Sequence, residues 1–280
     1  IIEPSPIDDI NKLKIRGSAK ITNFAIQGFP IDLLEGDFFC DGLSINAPKM
    51  QVHSADINGF AGVSFSPKDQ VIHVTGDCLG DPRHISHFIF SKTARRNYLN
   101  IWTRFAWGRA ARPHWKGYFS FDLKDYSMVF DGNFQANGVT INGIKTQSLS
   151  ADIIMNFPGH ILINDLQLEA TNGSARASLG FRDVDADCQM DYAFHSSLPL
   201  KNVIQLINPD WTNINDTFEM SGDNYIRATG SFPLSDPIAV RSEAYLEIGS
   251  TLYNDIAIED ATLTLNLRDK KLILASQKAK

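Results

Sequence analysis

The chain is 280 residues long, 43% hydrophobic and 21% charged, an ordinary globular composition with enough apolar residues to bury a core. Its net charge of −6 argues against general affinity for nucleic acid. It opens on Ile1 without a charged and then apolar leader, and no run approaches the roughly 18 apolar residues that span a bilayer, so both ends read as cuts in a longer chain.

In chain order, the first elements are short strand couplets such as IRGSAKITNFAIQGFPI, separated by turn signals of the Asp41-Gly42 kind. The run PRHISHFI (Pro82–Ile89) then leaves the strand pattern and takes a helical one. From Pro82 to Phe121 there is no acidic residue, against eight cations: Arg83, Lys92, Arg95, Arg96, Arg104, Arg109, Arg112 and Lys116. Aromatics are interleaved with them. The spacing predicts a helix over 93–111, ended by Pro113, with Tyr98, Leu99, Ile101, Trp102, Phe105 and Ala106 on one face. Two readings of that face stand side by side. In one, the helix lies on an anionic membrane surface, with Arg95, Arg96, Trp102, Arg104, Phe105 and Arg109 at the headgroups. In the other, its aromatic face packs on a sheet.

Beyond it, Asp131-Gly132, Asn137-Gly138, Asn142-Gly143 and Asn172-Gly173 punctuate further strands, including FDGNFQANGVTINGI. Ala175, Ala177, Leu179 and Phe181 alternate with Ser174, Arg176 and Ser178. From Asp183 the pattern predicts one strand with Val184, Ala186, Cys188, Met190, Tyr192 and Phe194 on its apolar face. A second helical run, LPLKNVIQLI, follows, and the alternation returns in Ala261, Leu263, Leu265 and Leu267.

The chain also matches itself. Leu43–Ile89 lies on Ile161–Ile207 without a gap at an offset of 118 residues; LEGDFF matches LSADII, and FDLKDYSMV matches FPLSDPIAV. The expected fold is mainly β: repeated antiparallel meander modules forming a curled sheet or groove, with short helical insertions. The expected modules are 1–113, with the basic-aromatic insertion, 114–223, with a short helix, and a partial third, 224–280.

Site chemistry is sparse. No nucleophile elbow, zinc-protease motif, P-loop or dinucleotide fingerprint is present, and no catalytic residue is assigned. His84 and His87 stand at helical spacing, but two imidazoles fall short of a metal site, and neither a metal nor a cofactor is expected. Asp183, Asp185 and Asp187, about 6.6 Å apart if extended, are too separated for one Ca²⁺ and read as a solvated face. Cys40, Cys78 and Cys188 read as buried thiols, with a Cys40–Cys78 bridge as the alternative. Asn172-Gly-Ser174 and Asn215-Asp-Thr217 fit a glycosylation sequon, a triplet common by chance.

The strand couplets ending in Asn/Gly turns, the paired LEGDFF and LSADII, and the recurring strands-then-helix order together resemble the AsmA/TamB-like family of bacterial envelope proteins. The resemblance covers nearly all of the chain from about residue 15 and rests on pattern more than on fixed residues. It implies a groove in the periplasm, anchored to the inner membrane by a segment beyond this chain, that binds or conducts phospholipid in outer-membrane maintenance without catalysis. Val184, Ala186, Met190, Tyr192 and Phe194 would then contact acyl chains. Two departures are the missing anchor and the long aromatic-basic segment. The rival reading is an extracellular β-rich adhesin or scaffold, with Trp107, Trp115 or Trp211 as a sugar platform; a β-helix enzyme is a third, for which no constellation of residues speaks.

Overall fold

The computed structural model describes residues 11, 13–26, 28–89, 91–107, 112–207, 218–220, 224–236, 239–253, 256–268 and 271–278. Strands β1 (Lys14–Ile26), β2 (Phe29–Asp41), β3 (Ser44–His53), β4 (Ile57–Ser66) and β5 (Val71–Gly80) form an antiparallel meander. A 3-10 segment (Pro82–Phe88), helix α1 (Lys92–Trp102) and the two-residue strand β6 (Phe105–Ala106) interrupt the chain. The sheet itself is not interrupted, because β7 (His114–Asp122) pairs directly with β5.

It continues through β8 (Met128–Asn137), β10 (Ile144–Phe157), β11 (His160–Ala170), β12 (Gly173–Arg182) and β13 (Gln189–Ser196). The short β9 (Thr140–Ile141) bridges β6 and β10. After helix α2 (Leu200–Ile207) come β14 (Phe218–Met220), β15 (Asn224–Pro233), β16 (Arg241–Tyr253), β17 (Ile256–Arg268) and β18 (Lys271–Lys278). β15 pairs with β13, and the meander runs on to β18. Among the described residues no ladder joins β1 to β18, so the curled sheet stays open as a groove.

The repeat is structural. Adding 118 to β5 gives the start of β13, and adding it to the 3-10 segment gives the start of α2. Adding 111 to the start of β11 gives the start of β18, and adding it to the starts of β7, β8 and β10 gives those of β15, β16 and β17 to within two residues. The matched motifs LEGDFF and LSADII occupy β2 and β10, and within each lies a register shift against the next strand, between Asp37 and Phe39 and between Ser150 and Asp152. Each bulge adds local twist to a sheet that must curl.

Register fixes which side chains share a face, because a side chain points the same way as its directly paired neighbour. One row of partners runs Cys40–Ile45–Phe65–Ile72–Phe121–Met128–Phe157. Another runs Ile163–Leu179–Tyr192–Gly230–Ser242–Leu267. The opposite face carries Arg16, Asp37, Asn46, Ser64, His73, Asp131, Asp152 and Arg176. One apolar face thus runs in register through every long strand.

Over β7, β8 and β10 this face is the molecule's core. Gly117 and Gly132 are direct partners, and the Phe130 ring lies 3.1 and 2.8 Å from where their Cβ atoms would stand. A side chain at either glycine would crowd that ring, so the close approach depends on their absence.

Two expectations are corrected. The strand predicted from Asp183 begins at Gln189; residues 183–188 make the turn between β12 and β13, with Asp183 at φ 54°. The helix predicted over 93–111 ends at Trp102, with Thr103 as its cap, and Phe105–Ala106 pairs as a strand with Thr140–Ile141.

Candidate functional site: an apolar face plugged at its centre

α1 begins at Ser91, whose hydroxyl accepts from Ala94 N at 3.2 Å, the usual N-cap bond. Ala94, Asn97, Tyr98 and Trp102, spaced three and four apart, are its buried residues. They seat the helix on the apolar face. Tyr98 meets Phe157 edge-on, with ring centroids 6.1 Å apart, and donates its hydroxyl to Pro82 O at 2.7 Å. Burial pushes the Tyr98 phenol far above its ordinary range, so it stays a neutral donor. Asn97 Nδ2 donates to Val184 O at 2.7 Å, tying the helix to the β12–β13 turn.

Trp102 sits in an aromatic knot with Phe105, Trp107, Trp115 and Phe134, ring centroids 5.2 to 6.2 Å away. Trp115 Nε1 donates to Gly80 O at 2.9 Å. Among the described residues the buried indole N–H groups of Trp102 and Trp107 complete no hydrogen bond, although Trp102 faces the Tyr98 hydroxyl. Two such donors are a cost of seating the plug. α2 closes the adjoining end: Val203 and Leu198 are buried, Gln205 Nε2 donates to Asn142 O at 2.7 Å, and Asn142 Nδ2 donates to Leu206 O at 2.8 Å.

The sequence-predicted residues therefore separate. Met190, Tyr192 and Phe194 lie on the apolar face of β13, half-buried, and Tyr192 donates to Ser242 Oγ at 2.7 Å. Val184 is fully buried under α1 and Ala186 is exposed in the turn, so neither lines the face as predicted. Trp102 is 5% exposed and belongs to the core, which removes it from any surface contact; Phe105 is half-buried beside it. Arg95 and Arg96 are exposed, with Arg95 donating to Ile89 O at 2.8 Å, and Arg104 is exposed beyond the helix end. Arg109 and Trp211 lie outside the described residues. Trp115 is buried and Trp107 half-buried in the knot, so neither offers an open sugar platform.

All three cysteines are free thiols. Cys40 and Cys78 stand on strands three ladders apart, roughly 14 Å across the sheet at the ordinary strand spacing, and out of register along the strands, since the row of Cys40 reaches β5 at Ile72; they are too far apart for a bridge. Burial raises the Cys78 thiol and pushes Cys188 up to about 11, so both stay protonated and unreactive at neutral pH. His84 and His87 stack on one another and both meet Phe29 at a tilt, and among the described residues no three His, Cys, Asp or Glu side chains gather as metal ligands.

Sequence reasoning missed the residues on the other side of the plug. Over β1–β5 and β7 the same face carries Ile15, Leu34, Phe38, Cys40, Val52, Val63, Phe65, Ile72, Val74 and Phe119 half-buried, with Ile21 and Ile45 exposed. The alternation that marks them was readable as strand, but nothing in it distinguishes an open face from a packed one. No helix among the described residues is long and apolar enough to cross a membrane, a statement that leaves β-barrels aside. The fold and face define a class: an open β-meander with one apolar face, plugged by a helical insertion. No protein-family model, curated protein or solved structure matches this chain.

Proposed function

We propose that this chain is a non-catalytic groove that binds the acyl chains of phospholipid, working in the periplasm in the maintenance of an outer membrane. The observation that carries this reading is the apolar face that continues in register from Ile15 on β1 to Leu274 on β18 while its flank over β1–β5 stays half-exposed. Contiguous half-exposed apolar surface of this kind marks a ligand groove or an interaction site. Each methylene removed from water contributes about 0.8 kcal/mol, so a chain of about ten buried methylenes supplies near 8 kcal/mol, the order of a micromolar ligand before ordering costs. The resemblance to AsmA/TamB-like envelope proteins supports the same reading from pattern. The exposed Arg95 and Arg96 on α1 supply cations for a phosphate headgroup beside the plug.

Native mass spectrometry of the chain after incubation with phospholipid micelles tests it. Phospholipid adducts should form on the native chain and be lost in Phe65→Asp and in Met190→Asp, while Ser64→Asp on the opposite face keeps them, with thermal melts reporting that each variant is folded. A folded native chain that takes up no phospholipid would sink the reading.

A further inference from the structure

The two copies of the repeat part company in a row of the apolar face. In the first copy Val74, Phe119 and Phe130 are direct partners across β5, β7 and β8, and all three are apolar. Offsets of 118, 111 and 112 residues lay them on Tyr192, Gly230 and Ser242, which are direct partners across β13, β15 and β16. The second copy thus carries two hydroxyls where the first carries none.

Geometry makes the two hydroxyls one unit. The Tyr192 ring, edge-on to Phe232 with centroids 6.2 Å apart, reaches over β15 to donate to Ser242 Oγ at 2.7 Å. Gly230 makes room for it, because a Cβ there would stand 2.5 Å from the phenol oxygen. Burial raises the Tyr192 phenol above its ordinary range, so it remains a neutral donor. A serine hydroxyl both donates one hydrogen and accepts. Among the described residues the Ser242 hydrogen has no acceptor, and both side chains are half-buried, open to a further group. The positions around the pair on the same face are apolar: Met190, Phe194, Ala228, Phe232, Ala244 and Leu267. The sheet itself does not require the pair, since the first copy fills the same row with hydrocarbon.

A single donor set in an apolar groove suits a ligand that is hydrocarbon up to one acceptor. The ester carbonyl that joins an acyl chain to glycerol is such an acceptor. We propose that Ser242 Oγ, held by Tyr192, donates to an ester carbonyl of the bound lipid and so fixes where the ligand's polar and apolar parts divide. This assignment rests on the lipid-groove reading. A free fatty acid offers a similar acceptor in its carboxylate, and is the competing source.

The probes are dilauroyl phosphatidylcholine, its dialkyl ether analogue, which lacks the carbonyls, and laurate. Native mass spectrometry reads the dissociation constant of each, and thermal melts report folding. The native chain should prefer the ester over the ether by about twofold to tenfold, the worth of one hydrogen bond. Ser242→Ala and Tyr192→Phe should remove that preference, and Ser242→Thr, which keeps the hydroxyl, should retain it. With isotope-labelled ester carbonyls, the infrared band of the bound lipid should lie at lower frequency on the native chain than on Ser242→Ala. A chain that takes up neither phospholipid removes the groove reading itself. Uptake of both without preference and with an unshifted carbonyl, or a preference that survives Ser242→Ala, would overturn the Ser242 assignment alone. So would a Ser242 dependence larger for laurate than for the ester, which would make the carboxylate the acceptor.

Discussion

The sheet over β7, β8 and β10 and the sheet over β1–β5 have the same pairing, alternation and apolar face, yet they differ in burial. Phe134 and Ile153 are 1% and 2% exposed under α1, whereas Ile45, on the same face of β3, is 44% exposed. The difference is not written in the strands. It comes from an insertion of some thirty residues between β5 and β7 that folds back and brings Tyr98, Trp102 and Trp107 onto one part of the face. Period-two alternation states that a face is apolar; what else is nearby decides whether it becomes a core or a groove.

Truncating the core side should therefore cost far more than truncating the flank. Phe134→Ala removes a ring from beneath Trp102, Trp107 and Trp115, and should lower unfolding stability by about 3–5 kcal/mol, read from urea midpoints. Ile45→Ala should cost under about 1 kcal/mol. Equal losses would break the comparison and mean that the flank is packed as tightly as the centre.

A smaller effect tests what holds the plug. Tyr98→Phe leaves the packing on Phe157 but strands Pro82 O in a buried site, which should cost about 1–2 kcal/mol. Hydrogen exchange should report it first as faster exchange in α1 and the 3-10 segment, with β8 and β10 unchanged. Faster exchange throughout the sheet would show that the plug and the core open as one unit. Ser91→Ala, which removes the N-cap of α1, should follow the same pattern at about 1 kcal/mol.

The smallest expected effect is a pH dependence at the base of the plug. Burial lowers the His84 pKa, against the opposing pull of Asp56 and Asp81 and with help from His87 and Arg83. A depressed pKa means that the unfolded chain takes the proton more readily. His84 thus contributes stability above its ordinary value near 6.5, and that contribution is lost as pH falls below it. His84→Gln should flatten the fall of the urea midpoint between pH 7 and pH 5. A steeper fall would reverse the sign assigned to the burial.

Much of the fold was legible because the repeat and the alternation agree. Ala175–Phe181 and Ala261–Leu267 alternate as β12 and β17 do, and LPLKNVIQLI contains α2. The 183–188 segment misled because a turn can mimic a strand. Val184 is tucked under α1 and Cys188 is buried just before β13, so apolar residues recur at even positions with no ladder between them. The end of α1 was hidden for a related reason. No Gly or Pro stands between Trp102 and Gly108; the helix stops because Phe105–Ala106 finds Thr140–Ile141, a pairing across more than thirty residues that local pattern does not contain. Trp102 and Phe105 carried the right chemistry for either a membrane face or a core, and only their position in the knot decides for the core.

The most direct test of the groove is to place a photoreactive benzoylphenylalanine at single positions and irradiate the chain with radiolabelled phospholipid. Position 65 lies on the apolar face of β4, and position 60 lies on the opposite face of the same strand. The account predicts lipid crosslinks at 65, few at 134 under the plug and none at 60. Equal labelling at 60 and 65, or none at 65 on a folded chain, would contradict it.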